Sequence, residues 1–102
     1  MQGIISIIAS IKENITVVSD YIYQQKINEA LGSMNNMLNN FTELGDAISL
    51  REEIAEEQKQ RYVDLLKEAL AAMENRDYIL MADILQYDMV DLLDSYTEAL
   101  ND

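Results

Sequence analysis

The chain has 102 residues, of which 49% are hydrophobic, and it contains no Cys, His, Pro or Trp. Its 19 acidic and 7 basic residues give a formal net charge of −12. The length fits one domain. Without Cys or His the chain has no thiol nucleophile, no disulfide and no imidazole base. Nucleic acids and anionic membranes would repel so acidic a chain, and we expect neither as a partner.

The first 45 residues carry two apolar stripes with helical spacing. The first stripe is Ile4, Ile8, Ile11, Ile15, Val18 and Ile22, and the second is Ile27, Leu31, Met34, Leu38 and Phe41. The stripes are out of phase, so the helix bends or ends between them, or it turns a new face to a new neighbour. Because residues 23–25 contain no Gly, Pro, Asp or Asn, we expect a continuous helix to Leu44, about 60 Å long. A break near residues 20–27 is the alternative.

Two further break points follow along the chain. Gly45 is suited to end a helix, and Ser49 and Glu52 have the spacing of a capping box for the next one. The polar segment 74–77 separates the second helix from a third, which Asn75 or Asp77 can cap. The sequence therefore predicts one all-α domain over residues 1–102, an up-and-down bundle of three long helices, or four if the first one breaks.

A continuous first helix would extend beyond its neighbours at its N-terminal end. The large apolar side chains left there are Ile4, Ile7, Ile8, Ile11, Ile15 and Val18. Exposing each one costs about 1.5–3 kcal/mol. The segment therefore folds back as a fourth helix, pairs with a second copy, or binds a different protein. We expect a homodimer, the commonest oligomer, with these six residues as the candidate self-association surface.

The third helix carries a second apolar strip beside its core face, at Ile79, Leu80, Ile84, Tyr87 and Val90. A helix that is apolar nearly all round is deeply buried or has two partners. The strip is therefore either packed on the first helix or exposed for recognition. Leu80, Ile84, Tyr87 and Val90 form the candidate partner surface, and Tyr87 is its candidate anchor because Tyr is frequent at interfaces.

The residues give no support for catalysis. A di-iron site in a helical bundle needs His, and the chain has neither a calcium-binding loop nor a Gly-rich phosphate loop. We expect no enzyme activity, cofactor, metal site or small-molecule substrate. Met1 and Gln2 lack the basic start of a signal peptide, and the longest apolar stretch is too short to span a bilayer, so we expect a cytoplasmic protein.

The segment Asn75-Arg76-Asp77-Tyr78-Ile79-Leu80-Met81-Ala82-Asp83-Ile84-Leu85-Gln86-Tyr87-Asp88 resembles a stretch of small uncharacterised helical proteins of Gram-positive bacteria. The size, acidity and helical content of the chain are similar to those of the flagellar export chaperones, and this resemblance implies a helical bundle that holds a protein partner. We expect a protein–protein interaction module, either a small acidic adapter or a chaperone-like or regulatory protein. The alternatives are a purely structural homo-oligomer and an acidic mimic of nucleic acid that occupies a basic groove.

Overall fold

The computed structural model describes residues 3–101, and this range contains four helices and no strand. They are α1 (Ile4–Tyr23), α2 (Ile27–Ser49), α3 (Glu56–Glu74) and a C-terminal helix. The C-terminal helix begins as α4 (Tyr78–Asp83), continues as a π-helical segment (Ile84–Met89) and ends as α5 (Val90–Asn101). Met1 and Gln2, on which the signal-peptide argument depends, lie outside the described residues.

The helices form an antiparallel bundle that measures 40 × 26 × 19 Å. α1 packs against α2 and against the C-terminal helix, whereas α3 packs mainly against α4 and the π-helical segment. The Lys12 side chain pairs with Asp94, which ties the first half of α1 to α5. The apolar stripes of the sequence fill the shared core, because one face of each helix is closed off from water. The prediction of an all-α bundle is confirmed.

The first helix ends at Tyr23, so the prediction of a continuous helix to Leu44 is wrong. Gln25 adopts the left-handed conformation, with φ of 63°. The Lys26 amide donates to the Tyr21 carbonyl at 2.8 Å, and the Gln25 amide donates to the Ile22 carbonyl at 2.9 Å. These two bonds form a Schellman motif, which ends a helix by pairing its last carbonyls. The break near residues 20–27 is the alternative that the chain adopts.

The link between α3 and α4 repeats this geometry at the same end of the bundle. Arg76 has φ of 60°, the Asp77 amide donates to the Ala72 carbonyl at 2.8 Å, and the Arg76 amide donates to Met73 at 3.1 Å. The Asp77 side chain then accepts a hydrogen bond from the Leu80 amide at 3.2 Å. This bond confirms Asp77 as the predicted cap of the last helix.

The link between α2 and α3 lies later in the chain than predicted. α2 continues through Gly45 to Ser49, so the predicted break at Gly45 is wrong. Gly45 is helical there, and a Cβ atom added to it would lie 3.5 Å from the Tyr62 ring. α3 begins only at Glu56, and its N-cap Ala55 makes no side-chain cap. The capping box predicted from Ser49 is therefore not formed.

A chain of aromatic rings connects α2, α3 and α5 through the core. The Tyr62 ring lies 6.4 Å from the rings of both Phe41 and Tyr96. The Tyr62 hydroxyl donates to the Phe41 carbonyl at 2.6 Å, and the Tyr96 hydroxyl donates to the Gln58 carbonyl. Burial raises the pKa of both tyrosines, because a phenolate would lose its hydration there.

The candidate self-association residues lie inside the bundle. Ile7, Ile8, Ile11, Ile15 and Val18 are each 4% exposed or less, and Ile4 is half-buried against the core. The break after Tyr23 lets α1 fold back on α2, and this contact buries the apolar face within one chain. The prediction that these residues form a self-association surface is corrected accordingly, because the folded chain does not present them to a second copy.

Candidate protein-binding surface

Four large apolar side chains are exposed together where α1 ends and the C-terminal helix begins. They are Tyr23, Ile79, Leu80 and Tyr87, which are 44%, 53%, 46% and 60% exposed. We call them the exposed apolar patch. Tyr23 is the last residue of α1, Ile79 and Leu80 lie in the first turn of α4, and Tyr87 lies in the π-helical segment. The patch is thus positioned by helical elements, which hold side chains more precisely than loops do.

A hydrogen bond between α1 and α4 fixes one side of the patch. The Tyr23 hydroxyl donates to Oδ1 of Asp83 at 2.8 Å. This bond, together with partial desolvation and the negative charge of Asp83, raises the pKa of Tyr23 to about 12. Tyr87 also contributes to the electrostatic environment of Tyr23. The Tyr23 ring is therefore held in place as a neutral phenol at neutral pH.

The predicted partner surface is only partly exposed. Leu80 and Tyr87 are exposed, Ile84 is buried at 8%, and Val90 is half-buried against the core. Of the four candidate residues, only Leu80 and Tyr87 are therefore available to a partner on the surface. Val90 follows the π-helical segment, whose wider turn adds a residue and rotates Val90 towards the core.

A groove lies beside the patch, between the C-terminal half of α3 and the start of the C-terminal helix. Its volume is about 480 Å³. It is lined by small or apolar residues and by carboxylates, together Glu68, Ala71, Ala72, Asn75, Asp77, Leu80, Ile84 and Asp88. We call this the acidic groove. Leu80 belongs to both features, so the groove and the exposed apolar patch form one continuous surface.

A second groove, of about 320 Å³, lies between α2 and α3 on another side of the bundle. Its lining includes the apolar residues Phe41, Tyr62 and Leu66 and two charged residues, Asp46 and Lys59. The Lys59 amine already lies 3.4 Å from the Ser49 carbonyl and 3.3 Å from Glu56. The Lys59 amine is therefore engaged within the protein.

Within residues 3–101, no group of three or more acidic side chains is placed to hold a metal ion. None of the described helices combines the length and the apolar character that a membrane span requires. The exposed apolar patch and the acidic groove are both suited to non-covalent recognition.

Sequence reasoning found part of this surface and missed the rest. Leu80, Tyr87 and the neighbouring Ile79 stood out because they lie off the predicted core face. Tyr23 was missed, because its partner Asp83 lies 60 positions away and helical periodicity does not report such a contact. The acidic groove was missed for the same reason, since it forms between two helices whose relative placement the sequence does not state.

Comparison with known proteins gives a family but no characterised relative. No curated protein and no solved structure matches the chain significantly. A family described as Domain of unknown function (DUF8042) matches residues 1–99. Since this match covers nearly the whole chain, the protein belongs to the DUF8042 family.

Proposed function

We propose that the protein is a small acidic adapter that recognises a protein partner through the exposed apolar patch. The observation that carries this proposal is the grouping of Tyr23, Ile79, Leu80 and Tyr87 on two helices, each side chain at least 44% exposed. Single exposed apolar side chains are ordinary, whereas a contiguous group surrounded by polar residues is typical of an interaction surface.

The arrangement of the patch also favours binding. Tyrosine is enriched among the residues that contribute most to interface affinity, and two of the four side chains are tyrosines. The hydrogen bond from Tyr23 to Asp83 orders one of these tyrosine side chains in the unbound protein. An ordered surface loses less conformational entropy on association than a mobile one, so more of the contact energy remains as affinity.

A different protein is a better candidate partner than a second copy. The apolar residues of α1 that could have joined two copies are used within the chain. Each further copy would also bring a formal charge of −12, and like charges placed opposite each other oppose association. The homo-oligomer remains the alternative, and it is separated from the adapter by the experiment below.

The test is capture of partners from native lysate by the intact protein, with quantitative mass spectrometry. Tyr87→Ala and Ile79→Ala should each weaken capture of a dominant partner by about tenfold, the loss typical of an interface anchor. Leu50→Ala is the matched control, because Leu50 is 82% exposed but lies in the link at the opposite end of the bundle. Circular dichroism should show unchanged helicity for all three variants.

Two results would overturn the proposal. One is capture that Leu50→Ala weakens as much as Tyr87→Ala does. The other is recovery of the protein's own chain alone, combined with a dimer in sedimentation that Tyr87→Ala dissociates. The second result would assign the exposed apolar patch to self-association.

A further inference from the structure

The acidic groove combines an apolar floor with a charged rim. Ala72 and Ile84 are buried and Leu80 is half-exposed, so they provide the floor between the two helices. Glu68 and Asp88 are exposed, one on α3 and one on the C-terminal helix. The groove therefore offers apolar contacts at its base and one exposed carboxylate on each of the two helices.

The charged residues that line the groove are all acidic. Asp77 is a third acidic residue in the lining, and it is occupied in capping α4. Lys67 and Arg76 are neighbours of lining residues in sequence, but neither is among the residues that line the groove. From Asp77 onward the chain carries seven acidic residues and no basic one. The potential along this part of the surface is therefore negative.

We propose that the acidic groove binds an amphipathic helical segment of the partner that carries lysine or arginine beside its apolar residues. Apolar side chains of that segment would pack on Leu80 and Ile84, and its cations would pair with Glu68 and Asp88. Helix-in-groove binding is a common mode of recognition, and charge complementarity selects the partner. This inference rests on the proposed function and specifies the chemistry of the partner.

The charge of the groove argues against other occupants. A second copy would place acidic residues opposite Glu68 and Asp88. A nucleic acid would bring phosphates to the same carboxylates, at a cost in repulsion. A basic amphipathic segment gains attraction from the rim and hydrophobic burial on the floor, so it uses both parts of the groove.

The experiment titrates the isotope-labelled full chain with two synthetic 18-residue peptides. Both have leucines at helical spacing, and one has lysines and the other glutamates on the polar face. We expect the lysine peptide to shift the amide resonances of Ala72, Leu80 and Ile84, and the glutamate peptide to leave them unchanged. Each of Glu68→Gln and Asp88→Asn should weaken the lysine peptide by about two- to fivefold, the range for exposed charge pairs.

The matched control is the double variant Glu29→Gln/Glu43→Gln, which removes two exposed carboxylates from α2. It should weaken the lysine peptide less than Glu68→Gln/Asp88→Asn does. Equal weakening by the two double variants would mean that only net charge matters, and it would overturn the inference. Absence of binding, shifts mapped to another face, or equal binding of the glutamate peptide would overturn it as well.

The proposed function and this inference fail in different ways. A partner captured through Tyr87 whose binding is unaffected by Glu68→Gln/Asp88→Asn overturns the basic-segment inference and leaves the adapter proposal standing. A partner unaffected by both Tyr87→Ala and Glu68→Gln/Asp88→Asn overturns both.

Discussion

Tyr23 and Asp83 lie 60 positions apart in the sequence, and the hydroxyl of one donates to the carboxylate of the other at 2.8 Å. This contact joins the end of α1 to the end of α4 at the surface of the bundle. It holds the Tyr23 side chain against α4, and Tyr87 contributes to the electrostatic environment of Tyr23. The exposed apolar patch therefore depends on the packing of α1 against the C-terminal helix.

The alkaline stability of the protein should report this contact. The pKa of Tyr23 is raised to about 12 in the folded chain, against 10.0 for the free side chain. The folded state then holds a proton that the unfolded state releases, so the free energy of unfolding falls as the pH rises from about 10 to 12. Tyr62 and Tyr96, whose pKa values are also raised, act in the same direction.

Variants of Tyr23 and Asp83 measure how much the contact between them contributes to the loss of stability at high pH. Asp83→Asn should lower the pKa of Tyr23 towards 10, because it replaces the carboxylate that accepts the Tyr23 hydrogen bond and removes its negative charge. Spectrophotometric titration of the phenolate, with Tyr23→Phe to assign the signal, measures this. Because the bond lies at an exposed site, Tyr23→Phe should cost no more than about 0.5–1 kcal/mol at neutral pH. An unchanged titration above pH 10 in Tyr23→Phe would disprove the assignment.

Substitution of Ile11 should test whether α1 belongs to the core of a single chain. Ile11 is fully buried, and Ile11→Ala should lower the free energy of unfolding by about 2–5 kcal/mol. Val17 lies on the exposed side of the same helix at 43%, and Val17→Ala should change stability by less than about 0.5 kcal/mol. Urea denaturation at two protein concentrations measures both. A midpoint for Ile11→Ala that depends on concentration would indicate a dimer instead.

The left-handed residue of the α1–α2 link is a site where glycine should stabilise the fold. Gln25 has φ of 63°, a conformation that costs a residue with a Cβ atom about 1–2 kcal/mol. Gln25→Gly should raise the free energy of unfolding by about 0.5–1 kcal/mol after the entropy of the more flexible unfolded chain is counted. Gln24→Gly, at φ of −88°, is the control and should be destabilising. Stabilisation by both variants would contradict the explanation.

The α1–α2 link and the α3–α4 link differ in how they cap the helix that follows, and this difference gives one prediction for each link. Lys26 and Asp77 occupy equivalent positions with nearly the same backbone angles, and only Asp77 makes a side-chain cap. Asp77→Ala should therefore cost about 1 kcal/mol, and Lys26→Asp should gain about 1 kcal/mol by capping α2. Lys26→Ala should have little effect, and it controls for the loss of the positive charge. Thermal unfolding of the three variants checks the argument, which fails if Lys26→Ala stabilises as much as Lys26→Asp.

Helical periodicity in the sequence was sufficient to predict the fold class and most of the core. The change of phase between Ile22 and Ile27 even located the break of the first helix. Its nature could not be predicted, because a turn without Gly or Asn is stabilised by backbone hydrogen bonds and by packing of the two helices, as Gln25 shows. Gly45 is the opposite case, since local propensity marked it as a break and the tertiary packing keeps it helical.

The surface was harder to predict than the core. Periodicity shows which residues leave the core face, and this identified Leu80 and Tyr87. It does not show where a helix widens, so it could not predict that Val90 turns towards the core. The contacts that build the site, from Tyr23 to Asp83 and across the acidic groove, join distant positions of the chain. A single sequence carries no local signal for them.

The π-helical segment also bears on how the C-terminal helix can change in length. Its wide turn accommodates one residue more than an α-helical turn, as in the bond from the Val90 amide to the Leu85 carbonyl. Loss of one residue between Ile84 and Met89 would convert the segment to an ordinary α-helix without rotating its two flanks. Met81 and Tyr96 would still face the interior, so insertions and deletions at this point can remodel the outer surface while the interior stays in register.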